Sequence, residues 1–433
     1  MREKLFKLYL IPVILIILLL LPHLFSFDNG YVDLESLNVQ SASEIVEHGF
    51  NADLSKYFTD IANPILTPLI LSASYKLLLE SPVISRLTIF LLAFLFTLFF
   101  YFYLRNKEGV FGAFLTTLLV VANPLFIVYS QYISSDVPFM VFSATSLLLL
   151  LYANSYKGKF ISSIVLGISL ATKYVAVILF PTVVIHSCLK SKILNQFSRT
   201  KLFPLIRFNL WYFALALLVS APVISITFQF LNGFLSPQHE SIHVLSAGLF
   251  IPRFFAYLMW LGLFIGPFVS ILVFDLWKRI EKMKFFMLFI GLIVLNLIVT
   301  HFFPVSSLHI LDGNFGEMNL SGGEAYVPEP YLSVALFFVI LIAELFIVGI
   351  TFDLTHTSDE KIINLFFWIV IPILLMSLTR AANRYMLTVL VPLSLYMSLV
   401  AQRTYSEHTK WFVTVVLILH ALTFLFLGFY ANY

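Results

Sequence analysis

Two carboxylates, Asp33 and Glu35, stand one residue apart just ahead of Ser36–His48, where Leu37, Ser41, Ile45 and His48 fall on one helical face. Carboxylates at a helix N-terminus are electrostatically favourable in their own right. Where water meets an apolar medium, the same groups can take a proton as a general base or ligate a metal. A third carboxylate, Asp136, sits in Ser134-Ser135-Asp136-Val137-Pro138, which by itself reads as an ordinary helix start. Five cations, Arg86, Lys173, Arg253, Arg380 and Arg384, lie at or within the ends of apolar segments, and Arg380 and Arg384 are four apart on one helix face. Singly, each can snorkel to lipid headgroups. As a group at one depth they suit a phosphate, because arginine offers it bidentate hydrogen bonds. His239 and Glu240, with His243 close by, form a candidate metal- or acceptor-contacting loop that matches no standard ligand pattern.

The elements that position these residues follow from composition. Of 433 residues 60% are apolar and 11% charged, with a mean hydropathy of +0.96. An average soluble domain carries roughly 25% charged residues. A water-exposed surface cannot be covered with so few charges, so the chain reads as a polytopic membrane protein. That excludes a nucleic-acid binder, a soluble Rossmann-type enzyme and a disordered scaffold. The single cysteine, Cys188, rules out an intramolecular disulfide. Arg2, Lys4 and Lys7 precede an apolar run from about 8 to 27 with no small-residue cleavage site after it, which reads as a retained first span.

Apolar runs of spanning length fall at about 8–27, 85–104, 110–129, 137–154, 209–231, 250–274, 285–303, 331–350, 362–379, 385–401 and 411–430. The stretch 160–189 carries Lys173 in its middle and reads as two short helices of about 20 Å each meeting there. Counting it as two keeps the basic loop 189–208 on the same side as the N-terminus. The expectation is an all-α transmembrane bundle of about 13 spans, N-terminus in and C-terminus out, with short helices and loops on the outer face. Nineteen of the 26 Lys and Arg residues then lie inside, as the positive-inside rule requires. The long outer segments are 28–63, 232–249 and 304–330, so any chemistry belongs to the outer membrane face. Residues 1–190 and 191–433 read as two parts of one membrane domain.

Further motifs appear in order: Asn63-Pro64-Ile65-Leu66-Thr67-Pro68-Leu69, Ser85-Arg86-Leu87, Asn123-Pro124, Asp136, and Gly167-Ile168-Ser169-Leu170-Ala171-Thr172-Lys173-Tyr174. With the acidic first loop, this set resembles the GT-C superfamily of polytopic glycosyltransferases, in particular the branch of protein O-mannosyltransferases and the lipid A aminoarabinose transferase. The resemblance covers about residues 1–190; beyond that it extends to the general plan and the segment Arg380-Ala381-Ala382-Asn383-Arg384-Tyr385. It implies a catalytic acid in the first outer loop, here Asp33 or Glu35, because the family's adjacent acidic pair is split by Leu34; Asp33 is favoured. The family's second acidic position falls on Asp136. Arg86, Lys173, Arg380 and Arg384 would hold the donor phosphate.

The implied function is an inverting transfer of a hexose or pentose from a polyprenyl (dolichyl or undecaprenyl) phosphate donor to a hydroxyl of a glycan, lipid or protein acceptor at the extracytoplasmic face. No nucleic-acid partner is expected. A lipid or glycolipid transporter or flippase, using Lys173 and Glu344, is the alternative, as is a non-catalytic subunit of the same fold. The sequence requires no cofactor and leaves a divalent metal open. The expected setting is the plasma (inner) membrane of a prokaryote, or the endoplasmic reticulum membrane of a eukaryote.

Overall fold

The computed structural model describes residues 2–23, 34–60, 63–153, 155–191, 199–231, 250–266, 269–302, 329–356, 359–378 and 383–404. Every regular element among these is helical. Four stretches among them are long and apolar enough to cross a membrane: Pro82–Val121, Leu202–Gln229, Phe337–His356 and Glu360–Ser377. The predicted last span, 411–430, lies outside the described residues.

The chain forms two compact units, one of Met1–Gly109 with Leu125–Val244 and one of Val110–Pro124 with Leu245–Tyr433. The first unit contains α1 (Arg2–His23), α2 (Leu34–His48), α3 (Ser55–Asp60) and α4 (Leu66–Leu78), followed by α5 (Pro82–Val121) as far as Gly109. It continues through α6 (Pro124–Gln131), α7 (Asp136–Tyr152), α8 (Tyr156–Thr172), α9 (Phe180–Lys190) and α10 (Arg199–Leu231). Gly109 adopts φ 76 and ψ 176 within α5, a conformation costly for residues with a Cβ. It thereby breaks the 40-residue stretch into two helical pieces.

The run 110–129, expected as one helix, is divided between α5 and α6 at Asn123-Pro124. Proline disfavours helical backbone in the residue before it and is itself well suited to the first helical turn. The expected break in 160–189 is present at the expected residue. Lys173 is extended (φ −155, ψ 126) between α8 and a short 3-10 turn, Tyr174–Leu179, that leads into α9.

The apolar face of helix α2 is covered by protein: Val39 and Ala42 pack in one cluster with Leu71 and Tyr75 of α4 and with Ile133. Leu37, Ser41 and Ile45 are buried, while His48 is exposed. Helices α7, α8 and α10 form the centre of the unit. The Tyr212 hydroxyl lies 2.6 Å from Ser162 Oγ and 3.2 Å from Ser146 Oγ, and Ser163 donates to the Tyr212 carbonyl. Small polar residues of this kind let apolar helices approach and bond across the seam. Gly167 takes this furthest, since a Cβ there would meet the Ala216 carbonyl oxygen at 2.5 Å.

The second unit contains α11 (Phe250–Ile265), α12 (Val269–Arg279), α13 (Lys282–Phe302), α14 (Glu329–His356), α15 (Glu360–Ser377) and α16 (Leu387–Thr404). The predicted span 250–274 is two helices here, the first ending ahead of Gly266-Pro267, where proline cannot continue the hydrogen-bond ladder. An ionic cluster built on two buried carboxylates ties three helix ends together. Arg403 Nη2 is 2.6 Å from Asp275 and its Nη1 2.9 Å from Asp353, while Arg279 Nη1 is 3.0 and 2.6 Å from the same two carboxylates. The Tyr396 hydroxyl donates to Asp353 at 2.7 Å and that of Thr404 to Asp275 at 2.9 Å. Two carboxylates facing two guanidinium groups, with hydroxyls on the remaining lone pairs, satisfy the condition under which buried charge is tolerated.

Candidate active site

The connection between α6 and α7, residues 132–135, is gripped from several elements of the first unit. Glu35, in the first turn of α2, accepts the Ile133 backbone N–H at 2.9 Å through Oε1 and meets Arg86 Nη2 at 2.8 Å through Oε2. Both side chains of that pair are about 95% buried, at 4% and 5% exposure. Asn38, one helical turn along, donates to the Ile133 carbonyl at 3.1 Å. Asn63 donates to Ser135 Oγ at 3.2 Å, and the His23 ring nitrogens meet the carbonyls of Ser130 (3.0 Å) and Leu19 (2.8 Å).

Arg86 lies at the start of α5, where Ser85 accepts or donates a 2.6 Å hydrogen bond with Tyr75 of α4. Asp136 opens α7 and pairs with Lys173, the extended residue that ends α8. Their side chains are 6% and 7% exposed. The break at Lys173 is therefore the backbone adjustment that brings the ammonium group to Asp136. Two ion pairs thus bracket one connection. Each cation satisfies the requirement that a charge buried in an apolar bundle find an anion.

Of the predicted site residues, the structure brings together Glu35, Arg86, Asp136 and Lys173. Asp33, His239, Glu240 and Arg380 lie outside the described residues. Arg384 falls in the 3-10 turn Asn383–Met386 of the second unit, and its side chain is not described. Arg253 donates to the Leu378 carbonyl at 3.4 Å within that unit. Glu344 Oε2 has no hydrogen-bond partner among the described residues. No group of three or more His, Cys, Asp or Glu residues able to hold a metal ion occurs among the described residues.

The sequence did not single out Asn38, His23 or the Ile133 backbone. Main-chain groups carry no signal in residue type, and Asn38 and His23 are the kind of polar residue that usually faces water. Asp53, in the turn before α3, is fully exposed; the Ser55 side chain, and then its backbone N–H 3.0 Å from Oδ1, hold its carboxyl below the usual carboxylate range.

Comparison with solved structures settles the architecture. The ArnT of Cupriavidus metallidurans bound to undecaprenyl phosphate matches with a TM-score of 0.56 at 12% identity, over 93% of this chain and 61% of that one. The archaeal oligosaccharyltransferase AglB of Archaeoglobus fulgidus, in complex with an inhibitory peptide and a dolichol-phosphate, matches with a TM-score of 0.56 at 12% identity, over 99% of this chain and 56% of that one.

The chain has the GT-C fold.

The family model of dolichyl-phosphate-mannose-protein mannosyltransferase matches residues 64–236. Asn63-Pro64, Arg86, Asp136 and Lys173 all fall within or at the edge of that stretch, which lies in the GT-C unit that carries both ion pairs apart from part of α5 and the start of α6. None of the curated proteins matches the chain to a significant degree by sequence. The chain spans about three fifths of the length of the two GT-C structures it matches.

Proposed function

We propose that this GT-C chain transfers a sugar from a polyprenyl phosphate donor to an acceptor hydroxyl at the extracytoplasmic face of its membrane, with inversion at the anomeric carbon. The observation that carries the reading is the pair of buried ion pairs, Glu35–Arg86 and Asp136–Lys173, on either side of the connection 132–135. They hold the start of α2, and so the position immediately after Asp33, in register with the start of α7. The fold similarity to structures bound to undecaprenyl phosphate and dolichol-phosphate supports the class of donor. With the N-terminus inside, as the charge distribution favours, this end of the unit faces the outer side.

In this reading Asp33 is the base. Both Glu35 oxygens already accept hydrogen bonds from Arg86 and Ile133, so Glu35 positions the helix start. Asp33 takes the acceptor's hydroxyl proton as that oxygen attacks the anomeric carbon, and the bond from that carbon to the phosphate oxygen breaks. A single displacement inverts the configuration. The leaving lipid phosphate gains one negative charge, and Arg86 and Lys173, set in place by Glu35 and Asp136, stabilise it. The phosphate is a stable anion and needs no protonation to depart.

The test is transfer from a panel of polyprenyl phosphate sugars by the purified chain. Asp33→Asn is expected to lower turnover by about 10²–10⁴-fold without lowering the unfolding temperature. Asp53→Asn, an exposed carboxylate of the same loop, is the control and is expected to behave as wild type. Full activity of Asp33→Asn would overturn the assignment.

A further inference from the structure

At the other end of the first unit lies a cavity of about 1150 Å³ whose wall is partly aromatic and whose rim is cationic. Lys157 and Lys159 come from the first turn of α8, Lys190 from the end of α9 and Arg207 from the first part of α10. Three separate elements thus deliver four positive charges to one cavity, with no carboxylate among its described lining residues. Like charges repel, so an anion in the space between them is favoured. The walls do not suit a free ion. Trp211 stacks on Phe160 at 6.1 Å between ring centroids, and the Lys159 ammonium group stands 5.1 Å over the Phe208 ring. Tyr156 and Phe203 are 86% and 72% exposed beside it.

Lys159 and Lys173 are 14 positions apart on and just past α8, which at the helical rise is about 21 Å. The cavity is therefore separate from the ion pairs around residues 132–135. In the charge-based topology it lies at the cytoplasmic interface, flanking the basic loop 189–208. Cations beside exposed aromatic rings are what the headgroup level of a bilayer selects.

We propose that this cavity binds an acidic phospholipid of the cytoplasmic leaflet, the headgroup phosphate between Lys157, Lys159, Lys190 and Arg207 and an acyl chain along Phe160 and Trp211. A soluble anion would satisfy the cations and leave the aromatic wall bare; a zwitterionic lipid would cover the wall without neutralising the rim. An acidic phospholipid does both. The assignment does not depend on the transfer reaction.

The full-length protein in phosphatidylcholine nanodiscs, with and without phosphatidylglycerol, supplies the test. Native mass spectrometry is expected to find a phosphatidylglycerol molecule retained on the wild type, and phosphatidylglycerol to raise its unfolding temperature. Lys190→Gln with Arg207→Gln, both exposed side chains, is expected to cut that retention about tenfold and to abolish the added stability, while unfolding in pure phosphatidylcholine stays as in wild type. Lys190→Arg should retain the lipid. Equal retention by wild type and the double variant would overturn the proposal, as would equal retention of phosphatidylcholine. Stabilisation by inorganic phosphate matching that by phosphatidylglycerol would overturn it too, making the site one for a free anion.

Discussion

Glu35 and Arg86 are 51 positions apart in the chain and 2.8 Å apart in space, and both are buried. Two residues beyond Asp33, the chain is thus fastened to the start of a long apolar helix. Removing one partner takes the counter-charge from a buried ion, a change that costs about 3–5 kcal/mol where a buried pair is broken. Glu35→Gln and Arg86→Met should each lower the unfolding temperature strongly, while the two combined should recover most of the loss. Thermal unfolding of the four proteins, compared as a double-mutant cycle, measures the coupling. Additive losses would show that the pair contributes nothing jointly.

Asp136 and Lys173 allow structure and chemistry to be told apart. Asp136→Asn and Lys173→Met are each expected to destabilise for the same reason as above. The double substitution removes both charges and should restore stability. If these residues also position the donor phosphate, sugar transfer by the double variant should remain about tenfold or more below wild type. Recovery of stability and transfer together would reduce the pair to a structural one.

How much of this was legible in the sequence depends on whether the cause is local. The break at Lys173 could be read because a lysine in the middle of a 30-residue apolar run has a local cost wherever the helix goes. The helix over Leu34–His48 was visible in its periodicity. What periodicity cannot show is what covers the face: Leu71, Tyr75 and Ile133 do so through tertiary packing. Proline marked the breaks at Asn123-Pro124 and Gly266-Pro267, but hydropathy averaged over a window ran straight through them. All four ion-pair partners were named as site candidates, yet their pairing depends on contacts between residues 37 and 51 positions apart. The ionic cluster of Asp275, Arg279, Asp353 and Arg403 lies at helix ends where charged residues are ordinary, so nothing in the sequence set it apart.

That cluster is a clear case for substitution. Asp353→Asn would leave Arg279 and Arg403 sharing one carboxylate, Asp275. The excess positive charge, with Asp353 2% exposed and the guanidinium groups about one-third exposed, should cost about 2–4 kcal/mol after allowance for solvent at the arginines. Asp353→Asn paired with Arg279→Gln restores neutrality and should regain much of it. Thermal unfolding in detergent gives both values; no loss in the single variant would show the cluster to be solvated in solution.

The approach of α8 to α10 gives the last prediction. A Cβ on Gly167 would stand 2.5 Å from the Ala216 carbonyl oxygen and 2.7 Å from Val219 Cβ. The first of these is backbone, so relief requires the two helices to move apart rather than a side chain to rotate. Separating them strains the hydrogen bonds that Tyr212 makes with Ser146, Ser162 and Ser163. Gly167→Ala should therefore destabilise by about 1–3 kcal/mol, despite alanine's higher helix propensity. Gly291 is the internal comparison: it lies in helix α13 with nothing within 4 Å of a built Cβ, so Gly291→Ala should be neutral or slightly stabilising. Because α8 ends at Lys173, the shift should also loosen its pairing with Asp136. Gly167→Ala is then expected to be less than additive with Lys173→Met in thermal unfolding, whereas Gly291→Ala should add independently. Equal effects of the two glycine substitutions would show that α8 and α10 do not approach this closely in the membrane.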